Sequence, residues 1–467
     1  MTEIHSLPFD ILLYIMSLVD DRKSLYDCSR VNQVFYEAAL PSLYRSISLV
    51  VLRSNGSENL NYPPLETLDR KHHLRPYVKS VELCFGLNDY VRYRPNQRPS
   101  PVWAESLSKL PNIQSFTFYH PEHRYHPLPH DISDIIISAL TGCSSIFQLT
   151  LLARINAADI ARFSRLTNLR EIRIGLLTTC VYDALGAWMT GSSCQSLSMM
   201  DTYSLETPAQ ITPYIHNLHS LHIGRNHGLS NRDLLHLLSA SPSLRSLDIS
   251  FDHFLSVTLA SPQKITFHGL THLERLVVRH QGVSSRSQFN EVFDWIALVI
   301  TESPLLSSLS LSSDDGKECN FPSTPPKLLS LLIKIPELEV LDLPFVVMRQ
   351  AALKTILTRI PKLRVLSVFL IDDRVLDIRS DKRDAGYQLD AIYLRSNRPT
   401  CPYSSLPPMM RKMMSSFRGS PGYLRRVTSS RQGWQALWTT GQHTNRKGLN
   451  LLKDEYPDVY SDILGWH

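Results

Sequence analysis

Two groups of histidines are the first residues in this chain whose type and spacing suggest chemistry. His120, His123, His126 and His130 fall in a proline-rich stretch, and His216, His219, His222 and His227 straddle an apolar alternation. Imidazoles ligate metals, but zinc sites usually combine them with cysteine or carboxylate at tight spacing in a locked geometry. The first group sits in a stretch that reads as a surface loop. In the second, strand alternation sends His219 and His222 to different environments. The seven cysteines form an odd set with no C-x-x-C pair, which reads as buried thiols in a reducing compartment and not as a disulfide framework. No G-x-S-x-G, P-loop, H-E-x-x-H or G-x-G-x-x-G after a strand is present. Neither a metal nor a cofactor is expected, and the chain does not read as an enzyme. The remaining candidates are four scattered charged or titratable residues, His222, Asp248, Arg275 and Arg279. Their role depends on the elements that would bring them together.

Those elements repeat. Leu218-His-Ser-Leu221-His-Ile223 reads L-x-x-L-x-L, and Leu244-Arg-Ser-Leu247-Asp-Ile249 repeats it. The alternation has the period of a strand with one buried face. Between the two, Ser230-Asn-Arg-Asp is a polar cap ahead of an apolar run at near-helical spacing. One strand and one helix per unit is the leucine-rich-repeat signature, and such a unit buries its face only against neighbours. Backwards, the pattern recurs at Cys194/Leu197/Met199, Leu169/Ile172/Ile174, Ile146/Leu149/Leu151, Ile113/Phe116/Phe118 and Val78/Val81/Leu83. Tyr44/Ile47/Leu49 is a candidate first member. Forwards it recurs at Leu273/Leu276/Val278, Leu306/Leu309/Leu311, Leu338/Leu341/Leu343, Leu363/Leu366/Val368 and, more faintly, Leu389/Ile392/Leu394. The spacing is irregular, with polar and proline-rich insertions mainly at 86–101, 119–130, 280–288 and 312–326.

Residues between ladder positions face the inner, concave side. Counted four on from each anchor they are Glu82, Thr117, Thr150, Arg173, Ser198, His222, Asp248, Val277, Ser310, Asp342, Ser367 and Tyr393. Arg275 and Arg279 are an even step apart and share one side of their strand. His222 and Asp248 are expected at similar height on adjacent strands. These four residues form the candidate zone for a protein target. As exposed groups, they are expected to add little to folding.

The chain has 467 residues, 43% of them hydrophobic and 20% charged, with a net charge of +6. That describes a folded, soluble protein. The charge is spread along the chain, which weighs against nucleic-acid binding. No secretory signal and no run long enough to span a bilayer is evident, so a cytosolic or nuclear location and no membrane contact are expected.

Residues 1–46 differ from the rest. Ser6 can cap a helix that has Pro8 in its first turn, with Ile11, Leu12, Ile15, Leu18 and Val19 as one apolar stripe. Ser24–Cys28 reads as a short second helix. Val31–Ala39 reads as a third, stopped by Pro41. From 401 the repeat ends. Residues 401–467 read as a flexible basic link carrying Arg411, Lys412, Arg418, Arg425, Arg426 and Arg431, followed by a capping helix over Leu449–Tyr456. The alternative for the basic run is a patch for an acidic partner or for nuclear import.

Leu7-Pro8-Phe-Asp10-Ile11-Leu12, Leu25, Cys28-Ser-Arg-Val31, Phe35-Tyr36 and Leu43-Tyr44-Arg45 resemble an F-box, of the type fungal proteins join to irregular leucine-rich repeats. The resemblance implies an α/β chain: a three-helix F-box over 1–46, then a solenoid of parallel inner strands and outer helices over 47–400. It also implies a substrate receptor of a Skp–cullin–RING ubiquitin ligase. The Skp adaptor would be held by Leu7, Pro8, Ile11, Leu12, Ile15, Leu25 and Val31, and an unidentified protein target by the repeats. Two alternatives accompany this reading. One is an interaction scaffold without ligase function; the other is an N-terminal unit that only caps the first repeat.

Overall fold

Asp21 and Asn32 start two of the three N-terminal helices. The Asp21 carboxylate accepts the amides of Lys23 and Ser24, and Asn32 Oδ1 accepts that of Phe35 at 2.9 Å. Each satisfies donors that an α-helix leaves open at its first turn. The helices are α1 (Phe9–Ser17), α2 (Arg22–Ser29) and α3 (Gln33–Leu43). In α1 the capping position is Pro8, with no side-chain cap; its carbonyl accepts the Ile11 and Leu12 amides. Leu12, Met16, Leu25, Ala38 and Ala39 form the core of this small bundle, with Leu13, Val19, Cys28, Phe35 and Leu43 packed against it. Pro41 does not stop α3, which continues to Leu43. The missing amide falls in the last turn, where the Tyr44 amide still closes onto the Leu40 carbonyl.

The computed structural model describes residues 7–51, 63–85, 101–119, 128, 130–177, 181–202, 211–226, 231–252, 269–281, 286–313, 326–370, 391–396, 422–430 and 433–440. The chain divides into two units, Met1–Leu205 with Ala209–Tyr214, and Glu206–Pro208 with Ile215–His467. In the first, β1 (Ser46–Val51), β2 (Ser80–Phe85), β3 (Ser115–Tyr119), β4 (Gln148–Ile155), β5 (Glu171–Leu177) and β6 (Ser196–Thr202) pair in parallel in chain order. In the second, β7 (Ser220–Asn226), β8 (Ser246–Asp252), β9 (Arg275–Gln281), β10 (Ser308–Ser313), β11 (Val340–Met348), β12 (Val365–Leu370) and β13 (Ala391–Ser396) do the same. Helices alternate with the strands: α4 (Pro63–Arg70), α5 (Pro101–Ser108), α6 (His130–Thr141), α7 (Ala157–Phe163) and α8 (Tyr182–Gly191), then α9 (Asn231–Ser239), α10 (Arg286–Thr301), α11 (Pro326–Leu332) and α12 (Gln350–Arg359). Each unit is thus an α/β stack of leucine-rich-repeat type.

The ladder drives the stacking. Leu247, Leu276, Leu309, Leu341 and Leu366 are fully buried and lie in one register row across β8–β12, and Val81, Phe116, Leu149, Ile172 and Leu197 do the same across β2–β6. A second regularity runs along the backbone. The Arg245 carbonyl accepts the amides of both Glu274 and Arg275; that of Glu274 accepts Ser307 and Ser308; that of Ser307 accepts Glu339 and Val340. The first unit has the same chain through Arg45, Lys79, Gln114, Phe147 and Arg170. One carbonyl per repeat therefore satisfies two donors of the next, and the side chains of Asn112, Ser145 and Asn168 add bonds to the carbonyls of Pro76, Ile113 and Ser144 in the preceding repeat. Ahead of it a tight turn brings the amide of Leu244, Leu306, Leu338 or Leu363 onto the carbonyl three residues earlier. Pro242, Pro304, Pro336 and Pro361 occupy the second position of these turns, where a fixed φ helps.

In β4 the register shifts between Leu151 and Arg154. Gly175 of β5 lies so close to this irregularity that a Cβ would sit 3.0 Å from the backbone nitrogen and oxygen of Ala153. Glycine is what allows the two strands to stay paired past the bulge.

Part of the segment read as a flexible basic link is ordered. β14 (Gly422–Ser430) and β15 (Gly433–Thr440) form a hairpin, with β15 antiparallel to β13. The parallel sheet of the second unit thereby ends in two antiparallel strands. Among the described residues β14 pairs with β15 alone, and its register shifts between Leu424 and Arg426. Such an irregularity in an edge strand discourages edge-to-edge pairing. Arg411, Lys412, Arg418, Arg431 and the helix read over Leu449–Tyr456 lie outside the described residues. No helix among the described residues is long and apolar enough to cross a membrane.

Candidate binding surfaces

α1 is apolar on two faces, and the bundle uses one of them. Leu12 and Met16 point into the core at 3% and 2% exposure. Ile11, Tyr14, Ile15 and Leu18 recur at i, i+3, i+4 and i+7 on the other side, and all are 40–61% exposed. Leu7 and Phe9 at the start of the helix, Tyr26 in α2, Val31 at 62% and Val34 in α3 are exposed as well. Pro8 is also exposed. The single stripe expected over Ile11–Val19 is therefore split in two. Leu12 and Leu25 are corrected from adaptor contacts to core residues: both are under 5% exposed and surrounded by their own helices. Tyr14 and Leu18 belong to the exposed set; their i+3 and i+7 spacing from Ile11 was the available signal.

The inner face of the second unit brings three of the four sequence candidates into direct contact. His222, Asp248 and Val277 are register partners on β7, β8 and β9, and Ser250 pairs with Arg279. Arg279 grips Asp248 with both ends of its fork, Nε to Oδ1 at 3.0 Å and the terminal nitrogen to Oδ2 at 2.9 Å. His222 Nε2 lies 4.0 Å from the same Oδ1. Burial alone would raise the Asp248 carboxyl, but His222, the Arg279 hydrogen bond and the charges of Arg279 and Arg275 outweigh it and hold its pKa below the ordinary carboxylate value.

The expectation that these groups are exposed and irrelevant to folding is corrected. The side chains of Asp248 and Arg279 are 15% and 22% exposed, and a bidentate pair so screened from water is part of the fold. A carboxyl depressed in the folded state stabilises fully above its unfolded pKa and loses that contribution as pH falls through its folded value. Asp248→Asn is accordingly expected to lower stability by about 2 kcal/mol at neutral pH. The melting curves of variant and parent should converge as the pH drops below the carboxylate range. A constant offset at all pH values would show that the charge contributes nothing.

Further along β9–β12 the inner row closes. Val277, Ser310, Asp342 and Ser367 are each about 1% exposed, and Ser310 donates to Asp342 at 2.9 Å. Among the described residues of this unit the inner row is therefore not continuously open, as alternation led one to expect, and its half-buried charges lie over β7–β9. In the first unit Glu82 and Arg173 are exposed on the corresponding row, and Thr150 and Ser198 are buried.

His216 and His219 are exposed, while His222 is half-buried toward Asp248. His227 and the first group, apart from the backbone of His130, lie outside the described residues. Among the described residues no group of three or more His, Cys, Asp or Glu side chains is placed to hold a metal ion. Burial pushes the Cys194 thiol up to about 11 and raises that of Cys143, so neither is a thiolate at neutral pH.

A three-helix bundle with a spare apolar face, joined to repeats that display side chains from a parallel sheet, has the architecture of a protein-interaction adaptor. The sequence carries the assignment further: residues 4–51 match the family model for the COS11 F-box domain. The N-terminal helices are an F-box domain, and leucine-rich repeats follow it. No curated protein matches the chain in sequence. Among solved structures, the chain in the crystal structure of a TLR13–ssRNA13 complex is 14% identical, with a TM-score of 0.29; the match covers 73% of this chain and 57% of that one. The chain thus spans less than two thirds of that protein's length.

Proposed function

We propose that this chain is the substrate-recognition subunit of a Skp–cullin–RING ubiquitin ligase. The observation that carries this is the exposed apolar stripe of α1, in a domain of a family whose members generally bind Skp-type adaptors. Leu7, Pro8, Ile11, Tyr14, Ile15, Leu18 and Val31 would face the adaptor. Covering one Leu or Ile is worth about 1.5–3 kcal/mol, so three or four suffice for a specific interface. The repeats would hold a protein target, with His222, Asp248, Arg275 and Arg279 as the contact zone.

In this reading residues 1–46, 47–400 and 401–467 act as adaptor-binding, target-binding and C-terminal closing parts. The protein would work in the cytoplasm, the nucleus or both. The chain performs no bond chemistry and needs no cofactor. It raises the local concentration of a target beside the ubiquitin-charged enzyme. The test is ubiquitin transfer in a reconstituted mixture of Skp adaptor, cullin, RING protein and charged enzyme. Targets should be the proteins retained by the chain from which residues 1–46 are deleted, and modification should require the full chain. Adaptor binding without any transfer would make the protein a scaffold.

A further inference from the structure

The residues whose carbonyls stitch the first unit together also form a row of side chains at the strand starts. Arg45, Lys79, Gln114, Phe147, Arg170 and Gln195 follow one another along β1–β6, each amide from Lys79 onward bonded to the preceding carbonyl at 2.7–3.0 Å. Their side chains therefore leave the backbone at intervals of about 4.8 Å. Three are cations, two are amides and none is an acid. Arg45, Phe147 and Arg170 are exposed, and Lys79 is half-buried. Arg70, Arg75, Lys109 and Arg162, on the helices and turns of the same unit, are each matched by a carboxylate. Among the described residues no carboxylate forms an ion pair with Arg45, Lys79 or Arg170. In the second unit the same row is mixed in sign: Arg245 pairs with Glu274 at 3.8 Å, and Glu339 and Arg364 follow. Phe147 is 39% exposed, and among the described residues it is the one large apolar side chain of the first unit's repeats so open to water. Arginine and aromatic side chains are the types enriched where proteins meet.

From this arrangement we infer that the strand-start edge of the first unit takes an acidic segment of a protein partner, with carboxylates on Arg45, Lys79 and Arg170 and an apolar side chain on Phe147. The inference rests on the protein-binding role proposed for the repeats and names the class of segment they select. It makes no use of the four charged residues of β7–β9. From Arg45 to Arg170 the row spans about 19 Å, which an extended chain covers with about six residues. The adjoining inner face carries two carboxylates, Glu82 exposed on β2 and Glu171 half-buried on β5. They oppose a strand of uniform negative charge such as a nucleic acid. A peptide carries its charges at discrete positions and can set neutral residues against both.

The experiment uses the full chain and a fluorescein-labelled Glu-Glu-Ser-Phe-Glu-Glu peptide, read by polarisation at two salt concentrations. The parent protein should bind it saturably, and more weakly at higher salt. A peptide with serine in place of every glutamate should not bind. Arg170→Gln should weaken binding by about fivefold, the upper range for one exposed ion pair. Phe147→Ser should weaken it by about tenfold, and Lys79→Glu with Arg170→Glu should abolish it. Arg245→Gln, in the matching row of the second unit, should leave the affinity unchanged. The bonds that stack this row are made by the backbone, so side-chain changes spare them, and each variant should melt as the parent does.

Absence of saturable binding, equal binding of an oligouridylate of the same charge, or unchanged affinity in folded Arg170→Gln and Phe147→Ser variants would each overturn the inference. An equal loss in Arg245→Gln would overturn it as well. Adaptor binding by the F-box is measured separately on the same chain. Its loss would sink the ligase reading without touching this result.

Discussion

Leu247→Asp is expected to leave no soluble protein. Leu247 is fully buried, in register between Leu221 and Leu276, so its side chain packs on both neighbouring repeats. The substitution removes the burial of a leucine, about 2–3 kcal/mol, and places a carboxylate inside the ladder between Leu221 and Leu276. The sum exceeds about 5 kcal/mol, in the range of the whole stability of an ordinary domain. Repeats stabilise each other through their interfaces, so the damage spreads along the unit from the mutated site. Leu341→Asp, equally buried on β11, should behave alike. Yield in the soluble fraction and the thermal transition are the measurements. Normal yield and unchanged melting for both would mean that the ladder register is wrong.

Leu7→Ala with Pro8→Ala is expected to abolish co-purification with the Skp adaptor and leave the fold intact. Both residues precede α1 and are exposed, so truncating them opens no cavity in the bundle. The Pro8 carbonyl that receives the Ile11 and Leu12 amides is backbone and survives the change. If each residue is an interface hot spot worth about 2 kcal/mol, the pair lowers affinity by more than about a hundredfold. Leu12→Ala provides the contrast. It hollows the core of the bundle and should lower melting by an amount equivalent to about 2–5 kcal/mol, whether or not the adaptor is present. Retention of the adaptor at full affinity by the Leu7/Pro8 variant would make the three helices a cap for the first repeat.

The solenoid was legible because its signal is periodic and redundant. Each L-x-x-L-x-L fixes both a strand and its buried face, and every anchor read from the sequence between Val78 and Leu363 is buried. The proline turns at Pro242, Pro304, Pro336 and Pro361 are written in the sequence as a P-x-L whose leucine is the anchor itself. α1 shows the limit of periodicity. A helix apolar at both Ile11 and Leu12 carries two stripes about 100° apart, and spacing alone does not say which one its neighbours cover.

On the inner face, alternation placed His222 beside Asp248 correctly, since pairing height follows from repeat register. It did not reveal that Arg279 reaches diagonally to Asp248, or that Ser310, Asp342 and Ser367 are closed from solvent. Both depend on contacts between residues far apart in the chain. The C-terminal hairpin was obscured by composition. A run rich in arginine reads as a solvated link, although Trp434, Ala436 and Trp438 already alternate with strand period.

Titration of the purified full-length chain with purified Skp adaptor tests the central claim most directly. Calorimetry should show saturable binding of one adaptor per chain, tighter than about 1 μM. The Leu7→Ala/Pro8→Ala variant should give no measurable heat while melting as the parent does. A folded parent chain that releases no heat and forms no complex with the adaptor would contradict the assignment of this protein as a ligase receptor.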